Sequence, residues 1–517
     1  MSDRFRHVTR RGGVIVGHVL VYHLIWAGLT MTASAAVIHY YWGRISVAQL
    51  MLNLVSVETD GGGGSIVTTS ILAIGVAPIL ITAAIVVLHQ RRRRNHRLRA
   101  YTPSPRAKWV MRSIATGLVG AVVVGGTTAF ATKVSMAEYI AAATSPYDVG
   151  DYYKLPVVTG SENKRNLVMI YLESGEQTLA DDQLFEKDAF LPLKEATQTA
   201  DGWQSVENYQ QYKGGGWTMS GLVSTQCGIP LKGSAFGGSS SSGNTGTDAV
   251  GDTYLGGATC LGDVLAEQGY TSVFLGGANS SFAAKDDFLT THGYSEIKGL
   301  ADWRAAGEEE KSFRSDWGLS DERLMANARD KVDELHAQYE ATGNPFNLTM
   351  LTLDTHEPVH IYDYCNVDTE NVVTSAFDCS MTQVAAFVNH LKDQGYLEDT
   401  AVVIMGDHLK HMSAGDAFHE QLDHHPNRTI FNRIWIPGGS DEQLRAGVDQ
   451  LSMYPTLLEV AGLTVKDREA GLGVSAFAQE LPQDSAQAAD PDTYAGLLES
   501  LSPHFYAEAW ASQPLAR

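Results

Sequence analysis

Three apolar stretches, at about 13–39, 66–88 and 113–131, dominate the first quarter of this 517-residue chain. Each approaches the roughly 20 residues needed to cross a bilayer core. The second has no charge, and its Pro78 is tolerable in a membrane helix. The third is rich in Gly, Ala and Val, which suits close packing against another helix. A cleaved leader peptide fits poorly, because the first run is too long and two more follow. The basic residues orient the spans. The loop at 89–112 carries nine Lys and Arg, from Arg91 to Arg112, and no acid; the N-terminal tail adds Arg4, Arg6, Arg10 and Arg11. Such segments stay in the cytoplasm, so three spans starting inside place everything after Lys133 outside.

Charge follows the same division. Residues 1–133 hold 15 Lys and Arg against 3 Asp and Glu, a net of +12, which leaves −33 of the −21 total for the rest. An acidic outer portion argues against nucleic acid as a partner, since a polyanion is repelled. All four cysteines, Cys227, Cys260, Cys365 and Cys379, lie in that portion, where an oxidising compartment favours disulfides. Three pairings are open, of which Cys227–Cys260 with Cys365–Cys379 is the sequence-local one. A four-cysteine zinc site competes, although no CxxC pair exists.

Beyond residue 160 the pattern predicts an α/β fold. Asn166–Leu172 (NLVMIYL) is a continuous apolar run, as in a strand buried on both faces. Similar runs occur at Tyr270–Leu275, Phe346–Leu353, Ala401–Met405 and Thr429–Ile436, with helical patterns at Ser320–Glu340, Met381–Gln394 and Gln450–Ala461. Alternating strands and helices imply a largely parallel sheet between helical layers. The expected boundaries are a membrane anchor at 1–133, a linker at 134–160, an extracytoplasmic domain at 161–480 and a polar tail at 481–517. The Gly/Ser-rich stretch 233–258 reads as a mobile loop.

Ligands in open α/β sheets bind beyond the carboxyl ends of strands, so the residues after each apolar run are where chemistry is expected. The first run ends in Glu173-Ser174 and the fourth in Gly406-Asp407-His408, a mixed oxygen and imidazole set suited to a divalent metal. In GGGWTMSGLVSTQCGIPL, three glycines and Trp217 lead to Thr218 at the start of a helical pattern. A hydroxyl there sits among backbone N–H groups that favour an anion, and a metal would make it nucleophilic. An ordinary helix cap is the bland alternative. His356, in LDTHEP after the third run, is placed to contact a phosphate or protonate a leaving group. His411, His419, His424 and His425 read as a solvated loop.

LVMIYLES, GWTMSGLVSTQCGIPL, LTLDTHEP, VIMGDHL and SMYPTLLEVAGL occur in an order that resembles the sulfatase-like branch of the alkaline phosphatase superfamily. Within it the chain resembles the phosphoglycerol transferase I family and, more distantly, lipoteichoic acid synthases. The resemblance implies an alkaline-phosphatase-like domain and a metal-dependent phosphotransferase. One divalent metal, usually manganese with zinc or magnesium as alternatives, is held by Glu173, Thr218, Asp407 and His408. Thr218 attacks phosphatidylglycerol, and the glycerophosphoryl group passes to a hydroxyl of a cell-envelope glycan. His356 matches the family's substrate-contacting histidine. The synthases' Trp-x-Arg appears here as Ala283-Ala284-Lys285, leaving Lys285 to hold the phosphoglycerol and putting synthase-like polymerisation in doubt. Arg314, Asp316 and Trp317 lie in a family-typical segment, and Trp217 flanks the nucleophile. The resemblance places the chain in a bacterial inner membrane, as a multi-pass protein facing the periplasm or cell exterior.

Three rivals remain. A true sulfatase needs C/S-x-P-x-R, and Cys227-Gly228-Ile229-Pro230-Leu231 has the proline one place late and no arginine. A phosphoethanolamine transferase shares the threonine and metal logic but typically has more spans and cysteines. A non-catalytic membrane-anchored protein predicts erosion of the metal ligands or nucleophile, and all four are present.

Overall fold

The computed structural model describes residues 2–47, 50, 64–98, 104–233, 253–314, 317–411, 417–440 and 442–512. Most of the Gly/Ser-rich stretch, residues 234–252, lies outside them. The described residues divide into two compact units, one made by the N-terminal helices and one beginning at Ile140.

In the N-terminal unit, three segments are long and apolar enough to cross a membrane: Val16–Trp42, Val67–Asn95 and Pro105–Lys133. The third helix starts on a capped turn, where the Ser104 hydroxyl accepts from the Ala107 N–H at 3.2 Å and Pro105 takes the first position. The first and third helices meet at small residues. A Cβ on Gly126 would lie 2.2 Å from the Gly28 carbonyl oxygen, so only glycine allows this crossing. Tyr22 and His89 tie the first and second helices through a 2.9 Å hydrogen bond.

The second unit is built on a six-stranded sheet. Its strands follow β1 (Val158–Gly160), a short strand outside the sheet, and are β2 (Asn166–Leu172), β3 (Thr271–Gly276), β4 (Tyr294–Lys298), β7 (Phe346–Leu351), β8 (Thr400–Gly406) and β9 (Asn432–Trp435). Between them, β5 (Phe313–Arg314) and β6 (Gly318–Leu319) form a separate hairpin. The sheet order is β4-β3-β7-β2-β8-β9, parallel except for β9. Along β2, Leu167, Met169 and Tyr171 face one core while Val168, Ile170 and Leu172 face another, which is the two-residue period of a doubly covered strand. Helices Thr218–Cys227, Leu261–Glu267 and Met453–Val460 cover the first face; Asp321–Thr342 and Val372–Asp393 cover the second. This is the expected α/β architecture, with β4 as an edge strand that the sequence pattern did not reveal.

The structure departs from expectation at both margins of the domain. Val149 and Tyr153, in the stretch expected to be a linker, are buried in the core. The expected polar tail contains helices Pro491–Glu499 and Pro503–Ala509, and Phe505, Tyr506 and Ala509 are core residues. The Tyr506 hydroxyl donates to the Pro230 carbonyl at 2.5 Å, and Trp510 Nε1 donates to that of Lys232 at 2.8 Å. Cys227 is bonded to Cys260 and Cys365 to Cys379, so no sulfur remains for the four-cysteine zinc alternative.

Candidate active site

Strands β2 and β8 run parallel with Leu172 opposite Gly406, so the residues after each emerge together at the carboxyl edge. Glu173, Asp407 and His408 are all buried, and one ligand atom from each lies within 4.8 Å of the others. Ser174 turns the chain sharply in the left-handed region, at φ 55°. Its N–H donates to Asp407 Oδ1 at 2.9 Å and its hydroxyl donates to Glu173 Oε1 at 2.8 Å. His408 Nδ1 lies 2.7 Å from the Leu409 carbonyl oxygen, to which it donates. That bond leaves Nε2 directed inward, 3.6 Å from Glu173 Oε1 and 3.5 Å from Asp407 Oδ2; burial works against a charged ring, but the two carboxylates outweigh it and raise the imidazole above its ordinary value.

These residues fit a divalent metal. Asp407 Oδ2 is buried without a hydrogen-bond partner among the described residues, and it faces His408 Nε2 at 3.5 Å. Burial raises the Asp407 carboxyl, with Glu173 adding to the shift and His408 opposing it. Burial also works against an ionised Glu173, but the His408 and His356 rings outweigh it and hold that carboxyl low. Two buried carboxylates and an imidazole nitrogen directed inward form a donor set that a divalent cation would satisfy once the ring gives up its proton.

Thr218 completes the cluster. Trp217 is the extended N-cap, at φ −160° and ψ 155°, and makes no side-chain cap, so Thr218 is the first helical residue rather than the cap. Its hydroxyl donates to Glu173 Oε2 at 3.3 Å. The helix is pressed against the β8 end: a Cβ on Gly221 would lie 2.1 Å from the Asp407 carbonyl oxygen. Gln450 Nε2 donates to that same oxygen at 2.8 Å, and Cys227–Cys260 pins the helix's far end.

The expected substrate contacts gather around this cluster unevenly. His356 Nδ1 donates to the Glu357 carbonyl at 2.7 Å, and its ring lies 4.5 Å from that of Trp317. Arg314 Nη1 donates to the His356 carbonyl at 2.8 Å, Nη2 donates to that of Pro358, and the guanidinium covers the Trp317 ring at 4.8 Å. Arg314 and Trp317 thus position the His356 loop. Burial lowers the His356 ring, which favours its neutral form. Lys285 is buried at the start of a helix, where burial brings its ammonium down to about 8 while Glu173 opposes the shift. Ala283 and Ala284 before it are both left-handed, at φ 57° and 56°. Trp217 is half-buried and packs against the core on its own face of the sheet. Asp316 lies outside the described residues.

Other residues at the site had gone unnoticed. Lys410, two positions after His408, is buried with Nζ 3.0 Å from Glu357 Oε1, joining the His408 and His356 loops. The adjacent DHLK string was the available signal. Glu176 is fully buried: Arg428 Nε donates to its Oε1 at 2.8 Å and the Lys410 N–H to its Oε2 at 3.1 Å. No local pattern connects positions so far apart. His411 departs from the solvated loop expected of it: its ring lies 5.1 Å from that of His408, and burial beside His408 drives it down to about 3. His424 is exposed, as expected.

Residues 207–463 match the family described as Sulfatase. Phosphoglycerol transferase I of Escherichia coli O139:H28 is 31% identical over 340 residues, covering 64% of this chain and 41% of that protein. The match therefore spans about two fifths of the length of such relatives. Among solved structures, a protein in the alkaline phosphatase superfamily from Vibrio parahaemolyticus is 20% identical, with a TM-score of 0.46, over 68% of this chain and 79% of its own. The lipoteichoic acid synthase LtaP from Listeria monocytogenes is 17% identical, with a TM-score of 0.45, over 64% and 80%. Through residues 207–463, this chain is similar to the sulfatase family.

Proposed function

We propose that this protein is a membrane-anchored, metal-dependent phosphoglycerol transferase. In this reading it moves glycerol phosphate from phosphatidylglycerol to a hydroxyl of a cell-envelope glycan, through a covalent intermediate on Thr218. The observation that carries the reading is the Thr218 hydroxyl, 3.3 Å from Glu173 Oε2 and at a helix start beside the buried Asp407 and His408. The curated relatives' name, phosphoglycerol transferase I, supports the choice of transferred group.

Glu173, Thr218, Asp407 and His408 would hold one divalent ion, with manganese as the proposed metal and zinc or magnesium as alternatives. When bound, the ion supplies positive charge that lowers the hydroxyl's pKa and offsets charge on the phosphoryl oxygens. Thr218 Oγ1 attacks phosphorus, the bond to the diacylglycerol oxygen breaks, and the hydroxyl's proton ends on diacylglycerol. In the second half an acceptor hydroxyl attacks the same phosphorus, and its proton returns to Thr218. Lys285 and His356 Nε2 orient the phosphoryl oxygens; an arriving anion favours the protonated ring despite its burial. The backbone N–H groups at the helix start face the same developing charge.

The decisive test compares wild type with Thr218→Ala on labelled phosphatidylglycerol. The variant is expected to fold, bind metal more weakly and release no diacylglycerol. Mass spectrometry of wild type given donor without acceptor should find a glycerophosphate adduct on Thr218. Full activity in the variant would refute the mechanism, and free glycerol phosphate as the sole product would make the protein a hydrolase.

A further inference from the structure

The loop that carries His408 and the loop that carries His356 meet at one pair of side chains. Lys410, two residues beyond His408, is buried, and its Nζ lies 3.0 Å from Glu357 Oε1. Glu357 directly follows His356. Charge joins the two groups rather than a directed hydrogen bond, because Oε1 accepts none among the described residues. An ion pair withdrawn from water adds little net stability, so its value lies in the geometry it fixes.

Both ends of the pair are anchored. The Lys410 N–H donates to Glu176 Oε2 at 3.1 Å, and its carbonyl accepts from Arg428 Nη2 at 2.6 Å. Just before it, the Leu409 N–H donates to Gln211 Oε1 at 2.8 Å. All three bonds use main-chain atoms of the His408 loop, so the lysine side chain is left to reach across to the other loop.

The His356 loop starts against the metal cluster, because the Thr355 hydroxyl donates to the Glu173 carbonyl at 2.7 Å. Arg314 holds the carbonyls of His356 and Pro358, on either side of Glu357. The carbonyl of Glu357 itself accepts from His356 Nδ1 at 2.7 Å, which leaves Nε2 as the ring nitrogen for a ligand. Glu357 Oε2 accepts from the Val359 N–H at 3.3 Å, and Oε1 faces Lys410. The direction of the imidazole therefore follows the placement of Glu357, and that placement follows Lys410.

We infer that Lys410 is a positioning residue for the donor: through Glu357 it aims His356 Nε2 at the phosphoryl group. The inference rests on the transferase reading and deepens it, adding a residue that governs donor binding without touching the donor. The test uses full-length protein carrying Thr218→Ala, so that nothing turns over, loaded with manganese and titrated with sn-glycerol 1-phosphate. Adding Lys410→Met should weaken the probe about tenfold, the loss of one well-aimed phosphate contact. Glu357→Gln, which removes the other charge, should weaken it by a similar factor. Metal affinity, read by competition with a chelating dye, should not fall in either variant, since the His408 loop keeps its main-chain bonds. In a His356→Ala background neither substitution should have any further effect, because the residues act in series.

A further loss in that background, or tighter binding in Glu357→Gln, would make Lys410 a direct phosphate contact and overturn the positioning role. Unchanged probe affinity in Lys410→Met or Glu357→Gln would overturn it too, as would absence of probe binding by the Thr218→Ala protein. So would a fall in metal affinity, which would make the lysine a prop for His408. Should Lys410→Met not fold, Glu357→Gln with and without His356→Ala decides the matter. Failure of the transferase reading shows separately, as missing diacylglycerol release by protein with Thr218 intact.

Discussion

Asp407 has one oxygen held by the N–H groups of Ser174 and His408, at 2.9 and 2.8 Å, while the other accepts no hydrogen bond among the described residues. Burial keeps a proton on this carboxyl well above the usual aspartate range, and a metal binds only after that proton leaves. Metal affinity should therefore rise as pH increases from about 5 to 7, a range where an ordinary aspartate with pKa about 3.9 is already ionised. Competition titration of the metal-free protein measures this, and a flat profile would contradict it. Glu176 makes a separate prediction. Its bidentate pairing with Arg428 is buried, so Glu176→Gln leaves the guanidinium uncompensated and should cost about 3–5 kcal/mol. Thermal unfolding followed by circular dichroism checks the loss.

At the scale of elements, the helix Thr218–Cys227 is set by contact at one end and a covalent bond at the other. Gly221→Ala must push the helix off the Asp407 carbonyl and carry Thr218 with it. Diacylglycerol release should fall about 100-fold, the usual consequence of a misplaced reacting group, while far-ultraviolet circular dichroism stays native. Replacing Cys227 and Cys260 together by Ser should cost about 2–4 kcal/mol in unfolding experiments. The elements differ in how legible they were. Strands β2 and β8 were plain because every residue in each is buried. Strand β4 was hidden because Tyr294–Lys298 lies at the sheet edge and is only partly covered. The helix Val372–Asp393 begins nine residues before the expected Met381, since Thr374, Ser375 and Ser380 interrupt its apolar stripe while being buried. Of the site, Glu173, Thr218, Asp407 and His408 were readable because each adjoins an apolar run or a glycine cluster. Glu176–Arg428 depends on the tertiary fold and left no local trace.

For the molecule as a whole, the division into a +12 and a −33 portion makes the arginines after the second span the proposed orientation signal. Protease added outside intact spheroplasts should cut the portion beyond Lys133. Replacing Arg91, Arg92, Arg93 and Arg94 by Gln should protect a fraction of the molecules, while protection of the wild type would reverse the topology. The sequence pattern was least informative about the margins of the domain, because short helices such as Pro503–Ala509 cannot show a long apolar period. Those margins are joined: the Val149 N–H donates to the Ser502 hydroxyl at 2.9 Å, and Tyr506 closes over Pro230. The order of synthesis therefore matters. Apolar surface around Val149 and Ile229 waits uncovered until the ribosome has passed Trp510, and the emerging polypeptide needs shielding through that interval.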